Sequence, residues 1–86
     1  MMPAHSRKEE KVSLYHAYVK KGPDTIGDRF GYYGMVVPED KWVIVTYDKY
    51  TNGCWGLVSI NDILYPSAEA AQQALEKLIQ EERLKE

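Results

Sequence analysis

Residues 41–60, KWVIVTYDKYTNGCWGLVSI, contain the clearest structural signal in the chain. Their first part alternates β-branched and aromatic side chains with the period of two that is typical of a β-strand. The dipeptide Asn52-Gly53 follows, and it favours the tight turn that joins two antiparallel strands. A second apolar run then returns. The stretch therefore predicts a β-hairpin with strands at 41–48 and 54–60.

Another strand is predicted just before this hairpin. Residues 30–37 read FGYYGMVV, and the glycine inside the run, Gly34, indicates a β-bulge or a close approach of another backbone. Residues 38–40, PED, are typical of a tight turn. Three consecutive antiparallel strands joined in this way form a meander.

Residues 11–20, KVSLYHAYVK, fit two patterns. Their β-branched and aromatic residues favour a strand, which would be the fourth in the sheet. A helix remains the alternative, because Val12, Tyr15, His16 and Val19 also share a helical face. Residues 21–31 contain three glycines and Pro23 and are predicted to be a loop. Residues 63–65 could add one short strand.

A helix is predicted over residues 67–84. Ser67 is a suitable N-cap because its hydroxyl can accept a backbone N–H, and Glu69 suits the positive end of a helix. The apolar side chains recur at helical spacing and form one stripe: Ala71, Ala74, Leu75, Leu78 and Ile79. The predicted fold class is α+β, a three- or four-stranded antiparallel sheet with one C-terminal helix packed on one face.

The length of 86 residues supplies one domain. Hydrophobic residues make up 44% and charged residues 28%, and the mean hydropathy is −0.50, as in soluble globular domains. No stretch approaches the roughly 20 apolar residues that a membrane-spanning helix needs. We therefore expect a flexible basic arm at 1–10, a single domain at 11–86, and no membrane partner.

Charge is unevenly distributed along the chain. The net charge is −2, whereas nucleic-acid binders are usually basic because they neutralise phosphates. Residues 1–22 hold five basic and two acidic side chains, a net charge of +3, while residues 23–66 carry −3 and residues 67–86 carry −2. The N-terminal segment 1–22 is thus the one positive region, and a basic arm there is a candidate contact for nucleic acid.

Cys54 is the single cysteine, so no disulfide can form within the chain. Residues 1–10 lack the apolar segment of a secretory signal. Both observations predict a cytoplasmic protein.

The chain lacks a recognisable motif for metal, phosphate or catalysis. His5, His16 and Cys54 are too far apart in sequence to match the spacing of a zinc site. The glycines of the predicted loop are not followed by the lysine and hydroxyl residue of a phosphate-binding loop. No nucleophile elbow is present. We therefore predict no metal, no cofactor and no catalytic residue, and a protein that is not an enzyme.

Eight of the ten aromatic residues fall between Phe30 and Tyr65. If the helix covers one sheet face, exposed Tyr and Trp on the other face can anchor a protein interface or stack on unpaired bases. The candidate protein-binding residues are Tyr32, Tyr33, Tyr47, Lys49, Tyr50, Asn52 and Trp55. For the nucleic-acid alternative the candidates are Arg7, Lys8, Lys11, Lys41 and Lys49.

The order of elements resembles two families of DNA-binding domain, those of plant ethylene-response factors and the arm-site-binding domains of tyrosine recombinases. The resemblance covers residues 30–80 and lies in Trp42, Tyr47, Asp48 and the segment 64–74 at the helix start. It implies a meander whose exposed face reads the DNA major groove with several Arg and Lys. This region has only three basic residues against six acidic ones, so DNA binding does not follow from the fold.

The sequence thus predicts a small acidic binding protein that engages a protein partner with a basic surface through its sheet and hairpin loops. Acidic inhibitors of nucleic-acid-handling machinery, of the type that phages make, match this profile. The alternative is a nucleic-acid-binding module that uses the basic arm and the sheet aromatics. A homodimer is a further possibility, because an edge strand such as 11–20 can pair across a two-fold axis.

Overall fold

A computed structural model describes residues 16–84, and the side chains of residues 16–82. In chain order its elements are β1 (Tyr18–Lys21), β2 (Asp24–Gly27), β3 (Tyr33–Val37), β4 (Trp42–Lys49), β5 (Trp55–Ser59) and α1 (Ala68–Leu84). The predicted α+β fold with one C-terminal helix is confirmed. Of the segment at 11–20, residues 18–20 are in β1, residues 16 and 17 precede the strand, and residues 11–15 lie outside the described residues, as does the predicted arm at 1–10.

The five strands form one sheet in the order β1-β4-β5-β2-β3. Neighbouring strands in the sheet are antiparallel, except for β2 and β5, which are parallel. In this parallel pair, Gly27 lies beside Val58. The sheet therefore has one strand more than predicted. The predicted meander is not formed, because β3 and β4 follow each other in the chain but are not neighbours in the sheet.

The additional strand, β2, lies in the segment that was predicted to be a loop. Pro23 precedes it and Gly27 ends it, so local turn residues dominate the pattern. Its two β-branched residues, Thr25 and Ile26, pair with β3, and Gly27 at its end pairs with Val58 of β5. Ile26 is only 1% exposed. The strand β2 thus forms because it is hydrogen-bonded on both edges and because Ile26 is buried. The local sequence does not indicate either feature.

The connection between β1 and β2 shows that the sheet is rolled. These strands are three places apart, which corresponds to about 14 Å in a flat sheet. Only Gly22 and Pro23 link them, and three Cα–Cα steps reach about 11 Å at most. Gly22 accordingly packs against the backbone carbonyls of Val37 and Pro38, where a Cβ atom would collide. The start of β2 is brought back to β1 by curvature of the sheet.

The rolled sheet separates two hydrophobic cores. The inner core consists of Ile26, Val37, Val43 and Val45, with Met35 and Leu57 packed against it. The outer core lies between the sheet and α1 and includes Ile44, Ala71 and Leu75, with Ala74, Leu78 and Ile79 at its margin. The predicted apolar stripe of the helix is therefore confirmed. Strand β4 is apolar on both faces because it contributes to both cores.

The predicted N-cap of the helix is present, whereas the predicted short strand at 63–65 is not fully formed. The Ser67 hydroxyl accepts the backbone N–H of Ala70 at 3.1 Å, as an N-cap does. The predicted strand at 63–65 is reduced to one bridge, in which Tyr65 exchanges two backbone hydrogen bonds with Trp42. Among the described residues, no helix has the length and apolar character that crossing a membrane requires.

Candidate partner-binding surface

An exposed aromatic pair lies on the β4–β5 hairpin. In the ladder Tyr47 is opposite Leu57, and Lys49 is opposite Trp55, so these side chains share one sheet face. The rings of Tyr47 and Trp55 stack with centroids 5.7 Å apart and planes inclined by 20°. Tyr47 is 64% exposed and Trp55 is 55% exposed. The ammonium group of Lys49 lies 5.5 Å from the Trp55 ring centroid.

We call Tyr47, Lys49 and Trp55 the aromatic platform. The same face of β4 carries Val43 and Val45 further along the strand, and both are fully buried in the inner core. The platform is therefore the continuation of the inner core to the hairpin end, where the side chains reach solvent. Because its strands are anchored by that core, the platform is a preorganised apolar and cationic surface.

Tyr50 follows the platform in sequence but is buried, with 7% of its surface exposed. Its hydroxyl donates a hydrogen bond of 2.9 Å to the carbonyl of Leu57. Its ring passes Gly56 so closely that a Cβ atom there would lie 2.8 Å from the Tyr50 hydroxyl. Burial, with a smaller effect of Tyr33, raises the pKa of Tyr50 above its usual 10.0. Tyr50 was predicted to contact a partner, but it supports the hairpin from within.

Tyr33 lies on the opposite sheet face from the platform. Across the sheet, Tyr33 lies in one row with Gly27, Val58 and Thr46, and each of these residues is paired with the next. Thr46 directly precedes Tyr47 in β4, and successive side chains of a strand point to opposite faces. The ring of Tyr33 packs against Tyr50 at a centroid distance of 4.5 Å.

A bulge at Gly34 produces this placement. Ile26 pairs with Met35 and Gly27 pairs with Tyr33, so Gly34 has no cross-strand partner. Its φ of 149° lies in a region that favours glycine. The bulge anticipated at this position is confirmed. Because of it, Tyr33 and Met35 lie on opposite faces although they are two residues apart.

The loop 28–32 presents a second aromatic group. The Asp28 carboxylate accepts the backbone N–H groups of Phe30 at 2.9 Å and Tyr32 at 3.1 Å. The loop is attached to the hairpin turn by a hydrogen bond of 2.9 Å from the Thr51 N–H to the Gly31 carbonyl. Phe30 and Tyr32 are both exposed.

Sequence reasoning missed Arg29 and Phe30 in this loop as a pair. The Arg29 guanidinium carbon lies 4.7 Å from the Phe30 ring centroid. The sequence did contain a signal for this pair, because Arg29 and Phe30 directly follow Asp28. An Asp at the start of a turn orders the residues that follow it.

The remaining predicted residues do not join one patch. Asn52 orders the hairpin turn, because its side-chain oxygen accepts the Cys54 N–H at 3.0 Å. Lys41 precedes the first residue of β4 and Lys49 is the last residue of this strand, so the two lie about 26 Å apart along it. For the nucleic-acid alternative this leaves Lys49 alone on the platform. Arg7, Lys8 and Lys11 lie outside the described residues.

Residues 16–84 do not gather three or more His, Cys, Asp or Glu side chains into a group that could hold a metal ion.

Comparison of the chain with protein-family models, with curated proteins and with solved structures found no match. The resemblance to the two families of DNA-binding domain stays a prediction.

Proposed function

We propose that this protein is a non-enzymatic binding protein that engages a protein partner with a basic surface through the aromatic platform. The observation that supports this proposal is the stacked pair of Tyr47 and Trp55, each more than half exposed beside the Lys49 ammonium. Tyr and Trp are the residues most enriched at energetically dominant positions of protein interfaces. Stacked on a rigid sheet, they lose little conformational entropy on binding.

Charge complementarity supports a basic partner. Residues 16–82 contain six basic and ten acidic side chains, which gives a net charge of −4. Such a field accelerates encounters with a positively charged surface. On the platform itself, an Arg of the partner can lie over the face of the exposed Tyr47 ring that is turned away from Trp55, by cation–π attraction. Proteins that handle nucleic acids present such basic surfaces, so we propose an inhibitor that occupies a nucleic-acid site.

The second candidate function is binding of single-stranded nucleic acid. The observation that favours it is Lys49, because a cation beside a stacking platform is the arrangement that contacts a phosphate next to a stacked base. The net negative charge of the described residues opposes this function.

The test is to titrate the protein into labelled probes and to measure binding by fluorescence anisotropy. The probes are an arginine-rich peptide, single-stranded and duplex DNA, and RNA, each at low and moderate salt. We expect the peptide to bind with a dissociation constant of about 1 µM to about 100 µM. Trp55→Ala and Tyr47→Ala are expected to weaken peptide binding by roughly tenfold, which is about 1.4 kcal/mol.

Tyr33→Ala is the matched control. Tyr33 and Tyr47 are both 64% exposed, but Tyr33 is on the other sheet face, so peptide binding should be unchanged. Equal peptide affinity for the wild type and both platform variants contradicts the proposal. Oligonucleotide binding with a steep salt dependence, together with weaker or absent peptide binding, establishes the second candidate function instead.

A further inference from the structure

The two edges of the sheet are protected to different degrees. Strands β1 and β3 are the edges. Proteins discourage pairing at exposed edges with charged side chains, above all Lys, and with Pro. Strand β1 carries Lys20 and Lys21, whereas β3, with the sequence YGMVV, has neither charge nor Pro. The homodimer predicted through strand 11–20 would therefore use the protected edge.

Within residues 16–84, no strand pairs with the outer edge of β3. Its inner side is hydrogen-bonded to β2 in register from Asp24 with Val37 to Gly27 with Tyr33. Among the described residues, none outside β2 makes a hydrogen bond to the backbone of β3. Gly22 approaches the carbonyl of Val37 at one end. The backbone groups of this edge that no described residue pairs with therefore lie between Tyr33 and Val36.

The side chains at this edge are apolar and exposed. Val36 is 65% exposed and Tyr33 is 64% exposed. Val36 pairs with Thr25 and Tyr33 pairs with Gly27, so both lie on the same face of the sheet. The bulge at Gly34 places them together, since strict alternation would have separated them.

We propose that β3 pairs antiparallel with β3 of a second copy of this chain, so that the two sheets become continuous. A two-fold axis places the same strand of each copy side by side in antiparallel orientation. The backbone donors of one copy then face the backbone acceptors of the other. Tyr33 and Val36 of the two copies form one apolar row across the interface.

The charges that flank β3 favour this occupant. Arg29 lies in the loop before the strand, and Glu39 and Asp40 lie in the turn after it. All three are exposed, and within the described residues none of them forms an ion pair. Antiparallel pairing places the Arg29 end of one copy beside the Glu39–Asp40 end of the other. The two flanks are thus of opposite charge in both halves of the interface.

The test is sedimentation equilibrium of the full chain from about 1 µM to about 1 mM. We expect the mass to rise from monomer to dimer with concentration. Val36→Lys places a protective charge at the free edge and should raise the dimer dissociation constant by at least tenfold. Because Val36 is exposed, the variant should fold, which its circular dichroism and thermal melting establish.

Tyr47→Lys is the matched control, since it adds the same charge to an equally exposed side chain on the platform and should leave the dimer unchanged. Amide hydrogen exchange at Tyr33 to Val36 should slow as the wild-type concentration rises. A wild type that stays monomeric throughout overturns the proposal. So does a dimer that Tyr47→Lys disrupts and Val36→Lys does not, because its interface would then be the platform.

Discussion

The phenol ring of Tyr50 occupies the space that Gly27 leaves by lacking a side chain. A Cβ atom at Gly27 would collide with the Cε1 atom of Tyr50 and lie 2.8 Å from its Cδ1 atom. Gly56, on the neighbouring strand β5, leaves room for the other side of the same ring. Tyr50 thus lies across β2 and β5, the strands that form the parallel pair of the sheet.

Gly27→Ala is expected to lower the free energy of unfolding by about 2 kcal/mol, because the added methyl group displaces the Tyr50 ring. Urea denaturation monitored by circular dichroism measures the change. In a Tyr50→Leu background the ring contact is removed, so Gly27→Ala should cost less there, although its Cβ atom would still lie 2.9 Å from the Tyr32 carbonyl oxygen. An equal cost in both backgrounds would show that the contact with this carbonyl, and not the ring contact, is responsible.

Tyr50→Phe removes the hydroxyl that donates to the Leu57 carbonyl. The ring contacts remain, so the expected loss in the free energy of unfolding is about 1 kcal/mol, the usual net value of one hydrogen bond. Urea denaturation at neutral pH measures it. Tyr47→Phe is the control. Because the Tyr47 side chain is exposed, this substitution should lower the free energy of unfolding by less than about 0.5 kcal/mol. Equal losses in the two variants would contradict a structural role for the Tyr50 hydroxyl.

The same substitution should change how stability depends on alkaline pH. Burial raises the pKa of Tyr50 above 10.0 in the folded chain, so the unfolded chain releases this proton first. The free energy of unfolding should therefore decrease as pH rises above about 10 and through the folded-state pKa. Tyr50→Phe lacks this component, so its difference from wild type should shrink with rising pH. A difference that stays constant from neutral to alkaline pH would refute the assignment.

The stack between Tyr47 and Trp55 should appear as a coupling energy. A double-mutant cycle with Tyr47→Ala and Trp55→Ala is expected to give about 0.5–1.5 kcal/mol in the free energy of unfolding. Urea denaturation of the four proteins supplies the cycle. Pairing Trp55→Ala with Tyr18→Ala, an exposed tyrosine outside the platform, should give almost no coupling. Additive effects for Tyr47 and Trp55 would mean that the rings do not stabilise each other in solution.

Ser67→Ala removes the hydroxyl that accepts the Ala70 N–H. The start of α1 then has an unsatisfied donor, and the expected loss in the free energy of unfolding is about 1 kcal/mol. Ser67→Asp should retain the wild-type stability, since a carboxylate caps the helix and suits its positive end. Thermal unfolding of the three proteins tests both expectations. A stable alanine variant would show that the cap is dispensable.

Local signals in the sequence predicted the helix, its N-cap, strand β4 and the turn at Asn52-Gly53. Each depends on residues within about one turn or one strand of each other, so the physics that forms them is local. For the candidate surface, the sequence named Tyr47, Lys49 and Trp55 among seven candidate residues, and the structure places these three together on one sheet face. Their alternation along two hairpin-linked strands is enough to place them on one face.

Local patterns in the sequence are thus sufficient to predict the α+β class, the capped amphipathic helix and the hairpin. They do not predict that β2 is a strand, that β5 and β2 are parallel, or that Tyr50 is buried while Tyr33 lies away from the platform. These features depend on contacts with residues that are distant in the chain. Ile26 is buried only when the sheet rolls, and Tyr50 enters the fold only where Gly27 and Gly56 leave space on adjacent strands.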